Sequence, residues 1–123
     1  MRKFTTAVVL LGMAAVLAFA TPAGKPETVD GYLVDVMCGS EHASEGATFG
    51  AGHKKECLLM PACVKSGYAV LTSDKKLLKL DAKGNKQAAK LIKSTDRDKD
   101  FHVRVTGEVK EDQIAVRSIE FAK

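Results

Sequence analysis

No Cys-x-x-Cys spacing occurs in this 123-residue sequence, which argues against one chemistry and excludes a second. A thiol oxidoreductase wants that pair, with a low-pKa cysteine at a helix start, and a c-type haem is attached through Cys-x-x-Cys-His. No Gly-x-Ser-x-Gly elbow is present either. Cys57 near His53 is then the sole pairing of a nucleophile with a base, and an enzyme is the weaker reading. No apolar run reaches the roughly 20 residues that a bilayer-crossing helix needs, since the longest, Ala7 to Ala20, has about 14. No stripe of one charge stands out. The 19 lysines and arginines face 15 acidic residues and are spread along the chain, so nucleic acid is set aside as a partner. No internal repeat or low-complexity tract appears.

What is present begins with an export signal. Met1 to Lys3 forms a positive n-region, Ala7 to Ala20 an apolar core, and Ala18-Phe19-Ala20 the small-x-small pattern of a cleavage site. Residues 1–20 are read as a signal peptide, with Ala23 as a second cleavage position. No cysteine lies at the cut to take a lipid, so the expected product is periplasmic or secreted, without a membrane span. Without Arg2 and Lys3 the net charge falls to about +2. About a hundred residues remain, the size of one domain. Thr21 to Glu27, with two prolines and a glycine, reads as a flexible lead-in to a domain over residues 28–123.

Within that domain, Val29 to Cys38 alternates as a strand, with Tyr32, Val34, Val36 and Cys38 on one face and Leu33, Asp35 and Met37 on the other. Gly39 to Gly52 is rich in Gly, Ala and Ser and reads as a long loop. His53 to Ser66 reads as short helical pieces interrupted at Pro61. Tyr68 to Thr72 and Leu77 to Leu80 flank the turn residues Ser73 to Lys76 as a hairpin. Asn85 is the expected cap of a short amphipathic helix carrying Ala88, Leu91 and Ile92. Phe101 to Val109 alternates as a strand, and Gln113 to Phe121 is a last strand whose apolar phase shifts between Val116 and Ile119, as a bulge requires. The predicted fold is mainly β: a five-stranded OB-like barrel with a Cys/His-bearing insert at residues 39–66 after strand 1 and one short helix between strands 3 and 4. A sheet with one helix packed on it is the alternative.

Gly31-Tyr32-Leu33-Val34-Asp35-Val36-Met37-Cys38, then histidine, then Cys57 and Cys63-Val64-Lys65-Ser66-Gly67-Tyr68, and finally Val103-Arg104-Val105-Thr106-Gly107, resemble small exported bacterial proteins of unassigned function. The resemblance covers nearly all of the chain after the signal and implies an OB-like domain and an exported location. It carries no activity. In such proteins the second and third cysteines sit closer together than Cys57 and Cys63 do here.

The chemistry concentrates in Cys38, His42, His53, Cys57 and Cys63. Cys38-x-x-x-His42 and His53-x-x-x-Cys57 mirror each other, and on a helix residues four apart share a face. Thiolate and imidazole suit copper or zinc, and Met37 and Met60 beside the cluster shade the choice toward copper. The candidate metal ligands are therefore Cys38, Cys57, Cys63, His53 and His42. Against this stands a disulfide from Cys38 to a later cysteine, an ordinary staple in a small exported domain, contributing roughly 3 kcal/mol. Three readings stay open: a non-enzymatic metal-binding module, a stapled structural or interaction protein with an unidentified protein partner, and a thiol redox protein. Asp35, by alternation, reads as a surface residue, Tyr32 as core and His102 as solvated.

Overall fold

The computed structural model describes residues 25–123. The signal segment and most of the lead-in lie outside the described residues. The first strand, β1 (Glu27–Asp35), leads into a helical insert: α1 (Val36–His42), a 3-10 turn (Ala43–Glu45), α2 (Ala47–Gly52), α3 (Lys55–Leu58) and α4 (Pro61–Ser66). Then follow β2 (Tyr68–Thr72), β3 (Leu77–Leu80), α5 (Ala82–Lys93), β4 (His102–Lys110) and β5 (Gln113–Phe121). The five strands close into a barrel in the order β1-β2-β3-β5-β4, with β1 pairing antiparallel to both β2 and β4. The seam between β3 and β5 is parallel and short, limited to Lys79 opposite Gln113 and Leu80 opposite Ile114.

The strands form where the two-residue period is cleanest. On β4, Val103, Val105 and Gly107 point into the barrel while Arg104 faces solvent, and Leu33, Val70, Phe101 and Ile114 complete the same core. Thr106 pairs with Ser118 and Gly107 with Val116, which leaves Arg117 as the extra residue of a bulge where the apolar phase of β5 shifts. β2 is buried at every position because both of its faces are covered. Tyr68 and Val70 look into the barrel, while Ala69 and Leu71 join Val34 in a second cluster outside it. Val36, Ala43 and Phe49 pack on that outer cluster. The insert is thus seated on the barrel wall.

Three expectations are corrected. Helix is as abundant as strand among the described residues, so the chain is not mainly β with a single helix. The strand ends at Asp35 rather than Cys38, and the expected loop from Gly39 to Gly52 is α1, a 3-10 turn and α2. Asp35 stops the strand because its carboxylate accepts from the Cys38 amide at 2.9 Å and caps α1. The third correction concerns α5, which is capped by Asp81, accepting from the Gly84 amide at 2.9 Å. Asn85 lies one turn in and receives the Tyr68 amide instead.

Candidate metal centre

Four segments converge where β1 meets the insert. Asp35 is both the last residue of β1 and the cap of α1, which places Cys38 in the first turn directly above it. The start of α1 is tied to the end of the insert by Val36 N–H donating to the Gly67 carbonyl at 2.8 Å and Met37 N–H donating to Ser66 Oγ at 3.2 Å. Ser66 Oγ in turn donates to the Cys63 carbonyl, so α4 and its Cys63 are drawn against α1. Pro61 starts α4 at a position where its missing N–H costs nothing.

His53 arrives from the end of α2. That helix lies flat on β1 because Gly50 packs against the Tyr32 ring, where a Cβ would collide with it. Ala51 accepts from the Asp100 amide at 3.1 Å, and Lys55 N–H donates to the Asp98 carbonyl at 2.6 Å, which fixes the chain on either side of His53. His53 Nε2 then donates to Asp35 Oδ1 across 2.7 Å. The Phe49 ring leans on His53 with centroids 4.9 Å apart and shields it from water.

The result is a buried cluster of unlike donors. One ligand atom each from Asp35, Cys38 and His53 falls within 4.8 Å of the others. Asp35 is 0% exposed, Cys63 3% and His53 6%. The buried Cys63 thiol lies next to the group but outside it, brought there by the packing of α4 against α1. Burial, together with the neighbouring Asp35 carboxylate, pushes the Cys38 thiol up to about 12, and the same causes push Cys63 up. For Asp35, burial works upward, but the Cys38 amide and His53 outweigh it and hold the carboxyl below its ordinary range. The site therefore presents a carboxylate, an imidazole and two protonated thiols. Thiols that hold their protons so firmly are poor nucleophiles by themselves, whereas a bound divalent cation turns them into thiolates.

Of the five candidate ligands, Cys38 and His53 meet here with Asp35, and Cys63 is buried next to them outside that group of three. His42 is half-exposed, pairs with Glu45 and stacks on the outer face of Phe49 with ring centroids 4.7 Å apart. Cys57 stands apart on α3, half-buried, lining a cavity of about 380 Å³ with Thr48, Phe49, Gly52, His53 and Lys54. The Met37 and Met60 side chains are exposed and offer the cluster no thioether. Asp35, expected at the surface, is at the centre. Alternation gave it the face opposite to Cys38, but at this end of β1 the inner face is closed by the barrel and the outer one by the insert. The available signal was the Asp-x-x-Cys spacing itself, which is that of a helix cap and its third residue. Tyr32 is half-buried and stacks on His102 with centroids 5.0 Å apart, so neither is the isolated core or solvated residue expected.

The barrel and its cluster define a small β-barrel protein carrying a helical insert with an Asp/Cys/His donor group. No family model matches the chain, and comparison with curated proteins and with solved structures gives no match.

Proposed function

We propose that the chain is an exported OB-like module that holds a single zinc ion through Asp35, Cys38, His53 and Cys63. The strand order 1-2-3-5-4, with a helix between β3 and β4, supports the OB assignment. The observation that carries the metal reading is the convergence of three unlike donors within 4.8 Å, in a place where Asp35 and His53 are almost wholly withdrawn from water. Mixed sulfur, nitrogen and oxygen donors are a zinc set. The hard carboxylate and the outward-facing methionines count against a soft copper site. The donors come from β1, α1, the end of α2 and α4, so the ion would pin both ends of the insert to β1. Zinc supplies Lewis acidity and charge when bound, while the protein's own part is to hold the donors together and surrender two thiol protons.

The test is elemental analysis of protein purified with reductant and without chelators. About one zinc per chain is expected, retained when Cys57 is changed to Ser and lost in Cys38→Ser. Protein that takes up no zinc, or a Cys38→Ser variant that keeps it, overturns the proposal. The packing of α1 against α4, which carry Cys38 and Cys63, favours a second reading, a disulfide staple between them. A mass deficit of two hydrogens, with Cys57 the one alkylatable cysteine, would put the staple in place of the metal.

A further inference from the structure

The cavity beside the cluster has no part in holding the ion, yet it shares a wall with the residues that do. Its lining is Thr48, Phe49, Gly52, His53, Lys54 and Cys57. His53 is common to cavity and cluster. One ring nitrogen, Nε2, is committed to Asp35, while Nδ1 has no hydrogen-bond partner among the described residues. No buried side-chain nitrogen or oxygen among these residues is left unpaired, so Nδ1 is in reach of solvent although the residue is only 6% exposed. A nearly buried imidazole with an open nitrogen at a cavity wall is a ligand waiting for a donor or a cation. The half-buried thiol of Cys57 lines the same cavity and makes no hydrogen bond among the described residues. Asp35 and Cys63 themselves are sealed.

We infer that this cavity is the port through which a borderline-soft divalent cation reaches and leaves the cluster, with Cys57 and His53 as its first protein ligands. The inference rests on the zinc reading above. In the step it describes, an incoming zinc ion exchanges two waters for the Cys57 sulfur and His53 Nδ1, and the Cys57 proton is released to solvent. The ion next exchanges that sulfur and Nδ1 for the inner donors, Cys57 is reprotonated, the His53 ring proton moves from Nε2 to the freed Nδ1, and the protons of Cys38 and Cys63 leave. No electron is transferred. Cys57 is thus a transfer ligand, present in the passage and absent from the resting set.

Stopped-flow exchange of Zn²⁺ with a chromogenic chelator tests this on the whole protein, in the wild type, Cys57→Ser and Gly52→Leu. A Cβ at Gly52 meets nothing within 4 Å, so a larger side chain there narrows the cavity without a clash and leaves every sulfur in place. The expected result is slower loading in both variants, by about tenfold, with release slowed by the same factor, because the ratio of the two rates is the dissociation constant. Zinc content and affinity stay at the wild-type level. Unchanged rates in Cys57→Ser overturn the inference and leave the zinc reading intact. A Cys57→Ser protein with lowered affinity also overturns it, by making Cys57 a resident ligand. Should Cys57→Ser fold poorly, unchanged rates in Gly52→Leu overturn the port by themselves. A wild type that binds no zinc fails at the earlier proposal, and elemental analysis shows that before any rate is measured.

Discussion

The barrel and the insert bury different things. Inside the barrel the sealed side chains are hydrocarbon, with Leu33, Val70, Phe101, Val103, Val105 and Ile114 at or near zero exposure. In the insert the sealed side chains are few, and two of the three carry ligand atoms, the His53 imidazole and the Cys63 thiol, with Leu58 the third. Apolar burial stabilises at about 25 cal/mol per Å² whatever occupies the site, whereas a buried polar cluster stabilises only while every member has its partner. The barrel is therefore self-sufficient. The insert, beyond the apolar seat that Val36, Ala43 and Phe49 give it on the barrel wall, is conditional on its cluster.

That contrast can be broken from either side. Phe101→Ala, in the barrel, is expected to cost about 3–5 kcal/mol and to lower the urea midpoint equally with and without zinc. A loss confined to the insert would reverse the comparison. Asp35→Ala comes next. It removes the cap of α1 and leaves His53 buried without its acceptor, at a cost of about 3 kcal/mol. Hydrogen exchange should show the loss in residues 36–66 while the β4 amides stay protected. Uniform loss would mean that the two regions unfold as one.

Acid sharpens the comparison further. Zinc must displace the protons of Cys38, pushed up to about 12, and of Cys63, so its apparent affinity should fall by about 100-fold for each unit of falling pH. Competition with a chelator of known affinity at several pH values measures that slope. A slope of one proton would remove Cys63 from the set. In the metal-free protein, Asp35 has its folded value below the ordinary 3.8. Its contribution is complete above that value and is lost as the pH falls through the folded value, so the insert should open in acid before the barrel does. The smallest effect is expected on the barrel's outer face. Arg104 meets Asp30 at 3.0 Å between two solvent-exposed side chains, and Asp30→Asn should leave the thermal midpoint where it was.

The barrel was legible because its signal is local. Val103, Val105 and Gly107 alternate with Arg104, Thr106 and Glu108 over a stretch long enough to leave one reading, and the shift near Arg117 marked the bulge. The insert was not legible for the opposite reason. Its helices run for only four to seven residues, too short for an amphipathic period and too short to be stable alone. Gly39, Ala43, Gly46, Gly50 and Gly52 read as loop, yet small residues are what let α1 and α2 lie against Tyr32, Val34 and Leu77. Asn85 lost the cap of α5 to Asp81, which follows β3 directly and accepts from the Gly84 amide, so that the helix begins a turn earlier than the apolar pattern suggested.

By itself, the amino-acid sequence determined the order of strands, the place of the long helix and the segment in which cysteine and histidine collect. Those are properties of neighbours along the chain, carried by a period of two or by spacing. Only the tertiary structure decided that Cys38 and His53 meet at Asp35, with Cys63 buried beside them, while His42 and Cys57 stand aside. Convergence of donors depends on how α1, α2 and α4 fold back onto the end of β1. The contacts that fold them, Gly50 on Tyr32 and Val36 to Gly67, join residues far apart in the chain and leave no mark on local composition.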